Sequence, residues 1–106
     1  MTKVIYREYY DRTLLIVDGH SGFGEAGEDI VCAGISTMVG AFINSILDEE
    51  GNERLKLHRK IIRDGYVCVE IEKLDFSRER ITGMLDGFLT GFLMLAENYP
   101  DYVRME

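Results

Sequence analysis

The chain has one proline, no tryptophan and only two cysteines, Cys32 and Cys68. With so little proline, no internal repeat and no low-complexity run, it has no segment of linker composition. Two cysteines cannot supply a four-ligand structural zinc site. A single structural disulfide is not expected in a reducing compartment, so both are read as free thiols. The opening MTKVIYREYYDR lacks the apolar core of a signal peptide. No stretch approaches the ~20 apolar residues that span a bilayer, and the expected compartment is the cytoplasm. What is present is a soluble balance: 106 residues, 46% hydrophobic and 29% charged. That length fits one domain, residues 1–106, with a thin core that oligomerisation would support.

Positive charge is scarce at one end. Residues 1–53 carry ten acids and three bases, whereas residues 54–106 carry nine of each, for a net charge of -7. Such a chain repels nucleic-acid phosphates and attracts basic partners. Direct nucleic-acid binding is therefore not expected, and a basic polypeptide would be steered toward it.

Residues 3–10 (KVIYREYY) and 13–18 (TLLIVD) are rich in β-branched and aromatic residues, and Asp11-Arg12 between them suits a tight turn. Residues 19–28 (GHSGFGEAGE) read as a glycine-rich loop. Asp29 is placed to cap a helix from Ile30 to Asp48. Its apolar Val31, Ile35, Val39, Phe42, Ile43 and Ile46 recur at steps of three and four. Asp48, Glu49 and Glu50 sit poorly with the helix dipole, and Gly51-Asn52 should end the helix.

Residues 53–63 and 66–73 form two strands around an Asp64-Gly65 hairpin turn. The first is basic (Arg54, Lys56, Arg59, Lys60, Arg63), as an edge strand protected from aggregation would be; His58 is read as solvated there. Ser77 should cap a second helix, Arg78 to Glu97. Its core stripe is Ile81, Met84, Leu85, Phe88, Leu89, Phe92, Leu93 and Ala96. Gly83, Gly87 and Gly91 call for close helix packing, within the chain or across a homodimer. Pro100 and a polar tail close the chain. The order predicts an α+β fold: a two-layer ββ-α-ββ-α domain with a mainly antiparallel sheet and two helices.

Chemistry concentrates in residues 19–36. Gly22-x-Gly24-x-x-Gly27 matches a dinucleotide fingerprint, but Glu25, Glu28 and Asp29 would meet the pyrophosphate. No parallel strand follows the helix either. Cys32 lies in the first helical turn, where N–H groups and the dipole favour a thiolate. His20, twelve residues upstream on the loop, can complete the Cys–His couple needed to attack a carbonyl and protonate a leaving amine. Helix-start N–H groups offer an oxyanion site. The plainer reading is a small buried cysteine and a hydrogen-bonded loop histidine, and on the residues alone it leads.

The run Gly19-His20-Ser21 … Gly27-Glu28-Asp29-Ile30-Val31-Cys32-Ala33-Gly34-Ile35-Ser36 resembles the signature of the ribosomal-processing cysteine protease family Prp. That signature reads GHA, a glycine-containing loop, then G-x-DIVCA and a serine. The His-to-Cys spacing, the length and the element order agree; Ser21 stands where alanine is usual. The resemblance implies a homodimeric, cofactor-free and metal-free endopeptidase. Its implied substrate is a large-subunit ribosomal protein, number twenty-seven, whose N-terminal extension is cut after a Phe-rich hydrophobic stretch. Cys32 carries over as nucleophile and His20 as base and acid. Asp29 and Ser36 would support them, and Gly19, Ser21, Gly22, Gly24 and Gly27 belong to a substrate loop. Cys68, on a strand, has no catalytic role. The alternatives are a non-enzymatic ribosome-assembly or ribosomal-protein-binding factor, and a thiol sensor. The sensor is weakened by the lack of a C-x-x-C pair.

Overall fold

The computed structural model describes residues 1–25 and 27–106; Ala26, within the expected loop, lies outside them. The elements run β1 (Thr2–Glu8), β2 (Thr13–Asp18), α1 (Ile30–Gly51), β3 (Leu55–Arg63) and β4 (Tyr66–Lys73). A 3-10 turn (Asp75–Ser77), α2 (Arg78–Asn98) and β5 (Val103–Met105) follow. The strands form one sheet in the order β3-β4-β2-β1-β5. Both hairpins are antiparallel, and β2 pairs antiparallel with β4.

The sheet is mixed, because β5 lies parallel to β1, Thr2 beside Val103 and Val4 beside Met105. The expected polar tail is thus a strand. Three residues are too short to show a period of two, yet Val103 is buried and completes the sheet edge. Basic β3 occupies the other edge. A bulge at His58 shifts its register. His58 is not merely solvated: its Nε2 lies 2.9 Å from Glu72 Oε1.

Alternation decides which side of the sheet the helices cover. Val4, Leu15, Val17, Val67, Val69 and Ile71 pack with Val31, Ile35, Phe42 and Ile46 of α1 and Ile81, Leu85 and Phe92 of α2. Leu93, placed in the core stripe by periodicity, is instead exposed, as is Met94. Gly91 does receive a helix: a Cβ there would lie 2.2 Å from Met38 Cε of α1. Gly83 and Gly87 have nothing within 4 Å of a built Cβ, so the intrachain contact accounts for one glycine of the three.

Helix ends depart from expectation where tertiary partners intervene. Glu49, read as ill-placed against the dipole, is buried with its carboxylate on Arg54 and Arg80. That pairing carries α1 on to Gly51, and the chain reverses at Glu53 with φ 57°. Ser77 precedes α2 but does not cap it; its hydroxyl donates to the Arg54 and Leu74 carbonyls. Finally, α1 is long and apolar enough to cross a membrane by length and composition, with mean hydropathy 1.9. This overturns the expectation that no stretch approaches that length. Gly, Ser, Thr and Asn interrupt the apolar residues from Ile30 to Leu47 without adding charge. In the fold, one face of α1 packs on the sheet and α2.

Candidate active site

The loop between β2 and α1 is tied down at its start. Gly19 takes φ 99°, and a Cβ there would fall 2.4 Å from the Met1 carbonyl oxygen. Its N–H donates to Gly65 O at 2.7 Å, across the sheet to the β3–β4 turn. The Met1 nitrogen donates to His20 O at 2.7 Å and Thr2 Oγ1 to Gly19 O at 3.3 Å. The His20 side chain is 64% exposed, with Nε2 3.8 Å from Asp64 Oδ2. Gly65, at φ 71°, leaves room for the ring; a Cβ there would sit 2.8 Å from Nε2.

Asp29 organises the rest. Its Oδ1 accepts from Cys32 N at 2.8 Å, an N-cap bond. Its Oδ2 accepts from Ser21 Oγ at 2.6 Å, Phe23 N at 3.1 Å and Gly24 N at 3.2 Å. Desolvation pushes the Asp29 carboxyl up, but the donors, Ser21 first and then Cys32 N and Gly24 N, outweigh it. The group is held well below the usual carboxylate range. The Phe23 ring stands edge-on to Tyr99 and Tyr102, with centroids 5.7 and 5.2 Å apart. That clasp pins the loop to the segment between α2 and β5.

Cys32 is half-buried. Its Sγ lies 3.2 Å from Ser21 Oγ, and Ser21 is only 2% exposed. Two adjoining clefts share His20, Cys32 and Ser36 on their walls. One, of about 250 Å³, has an apolar side from Val17, Ile35, Val39 and Val67 and a charged rim from Arg63 and Asp64. The other, of about 440 Å³, runs under Gly22, Gly24 and Gly27. The structure therefore brings Cys32, His20 and Ser36 to common clefts, with Ser21 in contact with the thiol and Asp29 bonded to the Cys32 backbone N–H and to Ser21. No hydrogen bond links His20 to Cys32 among the described residues, and the carboxylate nearest its ring is that of Asp64, not Asp29.

Sequence reasoning missed Asp64 and Gly65 as neighbours of His20, and Tyr99 and Tyr102 as anchors of Phe23. The Asp64-Gly65 turn was legible, but its contact with a loop forty-five residues earlier depends on β2 pairing with β4. The N–H groups of Cys32 and Ala33 also differ from expectation. They are taken by Asp29 Oδ1 and Asp29 O, so an oxyanion here needs other donors.

A helix-borne thiol with an imidazole on the same clefts, on a two-layer α+β scaffold, is the equipment of a thiol-dependent hydrolase. The cysteine protease Prp family model matches residues 1–104. The ribosomal processing cysteine protease Prp of Bacillus subtilis is 29% identical over 110 aligned residues, covering 99% of this chain and 96% of that protein. A crystal structure of the ribosomal processing protease Prp from Staphylococcus aureus, with a covalently linked product peptide, superposes with TM-score 0.77. It is 26% identical and covers 100% of this chain and 98% of that one. A second, holding a substrate peptide, gives TM-score 0.71 at 25% identity, with 100% and 98% covered. The chain belongs to the Prp family of ribosomal processing cysteine proteases, and it is a cysteine-type endopeptidase.

Proposed function

We propose that Cys32 is the nucleophile and His20 the general base and acid. The proposed substrate is large-subunit ribosomal protein number twenty-seven, whose N-terminal extension is removed by a cut after a Phe-rich hydrophobic stretch. The observation that carries this reading is the shared wall: Cys32, His20 and Ser36 border an apolar cleft and a glycine-walled one at once. A peptide lying across both would present its carbonyl at Sγ and an apolar side chain to Val17, Val39 and Val67. Net charge -7 draws a basic ribosomal protein rather than a nucleic acid.

In the mechanism, His20 takes the Cys32 proton and the sulfur attacks the scissile carbonyl carbon. The imidazolium then protonates the leaving amine, and the acyl-enzyme is hydrolysed by water activated by the same ring. His20 reaches Cys32 by leaving its place beside Asp64, a movement that a bound peptide and the glycines of the loop permit. Ser36, on the cleft wall, is placed to meet the peptide backbone. The enzyme acts in the cytoplasm as a homodimer joined through its helices, whose open faces carry Ile30, Leu93 and Met94.

The test is incubation with a peptide spanning the extension and cut site, with products read by mass spectrometry and Cys32→Ala run in parallel. The parent is expected to cut one bond and the variant none. Equal cutting by both excludes Cys32 as nucleophile, and binding without cutting by either supports the assembly-factor alternative.

A further inference from the structure

We propose that the Ser21 hydroxyl is a positioning residue for the thiol: it holds Cys32 as a neutral S–H that donates to Ser21 Oγ, and so keeps the resting nucleophile from ionising until His20 engages it. The catalytic consequence rests on the reading of Cys32 as nucleophile; the bond itself does not.

Proton accounting carries the argument. Ser21 has one hydroxyl proton and two near neighbours, Asp29 Oδ2 at 2.6 Å and Cys32 Sγ at 3.2 Å. An ionised carboxylate only accepts, and a short O–H···O⁻ bond is about twice as strong as a neutral one. The proton therefore sits on the Asp29 side. Asp29 stays ionised because Cys32 N, Phe23 N and Gly24 N also donate to it. Phe23 N approaches Ser21 Oγ at 3.3 Å as a further donor. With its proton committed, Ser21 Oγ can only accept from sulfur, so the Sγ–Oγ contact needs a protonated Cys32.

Burial makes the contact persistent, since Ser21 is 2% exposed and water does not compete readily for its oxygen. When the base acts, the S–H bond breaks, its electron pair stays on sulfur and its proton passes to the imidazole. The Ser21 proton stays on its own oxygen, directed at Asp29 Oδ2. The charged groups facing the thiol are Asp29 at the start of its own helix, His20 from the loop, and Arg63 and Asp64 from the β3–β4 turn. Of these, removing the hydroxyl touches only Asp29, which loses one donor but keeps Cys32 N, Phe23 N and Gly24 N.

The experiment is Ser21→Ala, which fits inside the volume of serine. The rate of Cys32 alkylation by iodoacetamide is followed against pH on the free protein by mass spectrometry. Cys68, 2% exposed, serves as the internal control and stays unreacted while the fold is intact. Losing a hydrogen bond that favours the neutral thiol should move the midpoint to lower pH and speed acid-side alkylation roughly threefold. The acid limb of kcat/KM on a cleavable peptide should move the same way. A midpoint that is unchanged, or that rises because the hydroxyl donates to the thiolate, overturns the proposal. Peptide cutting that survives Cys32→Ala removes the catalytic reading but leaves the alkylation result standing, so the two failures are distinguishable.

Discussion

Asp29 shows how one side chain can serve a helix and a loop together. Its carboxylate caps α1 through Cys32 N and fastens the loop through Ser21, Phe23 and Gly24. Asp29→Ala removes all four bonds. It should lower Tm by roughly 5 °C as a lost cap and reduce kcat/KM on the order of tenfold to a hundredfold through misplacement of the thiol. Because the folded carboxyl is held below its unfolded value of about 3.9, its stabilisation is complete above that pH. It is lost as the pH falls through the lower folded value. Hydrogen exchange at the Phe23 and Gly24 amides should therefore stay protected at about pH 4 and open only in stronger acid. Gly65 sets the histidine in the same way. Gly65→Ala would force a Cβ to within 2.8 Å of His20 Nε2 at φ 71°. The left-handed backbone adds about 1–2 kcal/mol of strain, and stability in urea denaturation should fall by about that amount.

At the scale of elements, the ends of α1 and α2 meet through Glu49. Its hydrogen bond from Arg54, and then that from Arg80, overcome desolvation and hold the carboxyl below its ordinary value. Folded-state depression again means stability present above about pH 4.3 and lost as the pH falls through the lower folded value. Glu49→Gln should cost about 1–2 kcal/mol at neutral pH. That is less than the ~3–5 of a fully buried pair, because the Arg80 side chain is 59% exposed. The difference from the parent in urea denaturation should shrink as the pH approaches 3. Glycine on α2 makes the complementary case. Gly83→Ala and Gly87→Ala meet open space and should each stabilise the chain by about 0.5–1 kcal/mol in urea denaturation. Stability that instead falls on dilution would place a second subunit on that stripe.

Across the whole molecule, two helices cover one face of a five-stranded sheet, and the other face carries an apolar row. Ile5, Ile16, Cys68 and Ile61 are cross-strand neighbours through β1, β2, β4 and β3. Cys68 is buried in the middle of that row, on the face of the sheet opposite the one that packs against α1. Phe92, 0% exposed, joins α2 to the shared core. Phe92→Ala should cost about 3–5 kcal/mol, a large share of the total stability of a domain this size, and expose Cys68 to alkylation. Sedimentation of the parent should give twice the 12.1 kDa chain mass, as the homodimer reading requires.

Much of this protein is written in local patterns. Runs of β-branched and aromatic residues in 3–10 and 13–18, a 3.6 period in 30–48 and 78–97, an Asp-Gly turn and an Asp cap each act over a few residues. Strands, helices and the placement of Cys32 in a first turn were legible for that reason. The run from Gly19 to Ser36 likewise carried the family. Everything that depends on strand order was not legible. β5 is too short for periodicity and exists because β1 offers an edge. Glu49 is tolerated at a helix C-terminus because Arg54, just before β3, and Arg80 of α2 are brought to it, and Ser77 turns from α2 to the Arg54 carbonyl because the start of β3 lies beside it. His20 rests by Asp64 and Gly65 because β2 and β4 are neighbours, which sets residues 20 and 65 side by side. Short-range sterics and hydrogen bonding make each element, whereas long-range pairing buries the apolar faces together and assigns the partners.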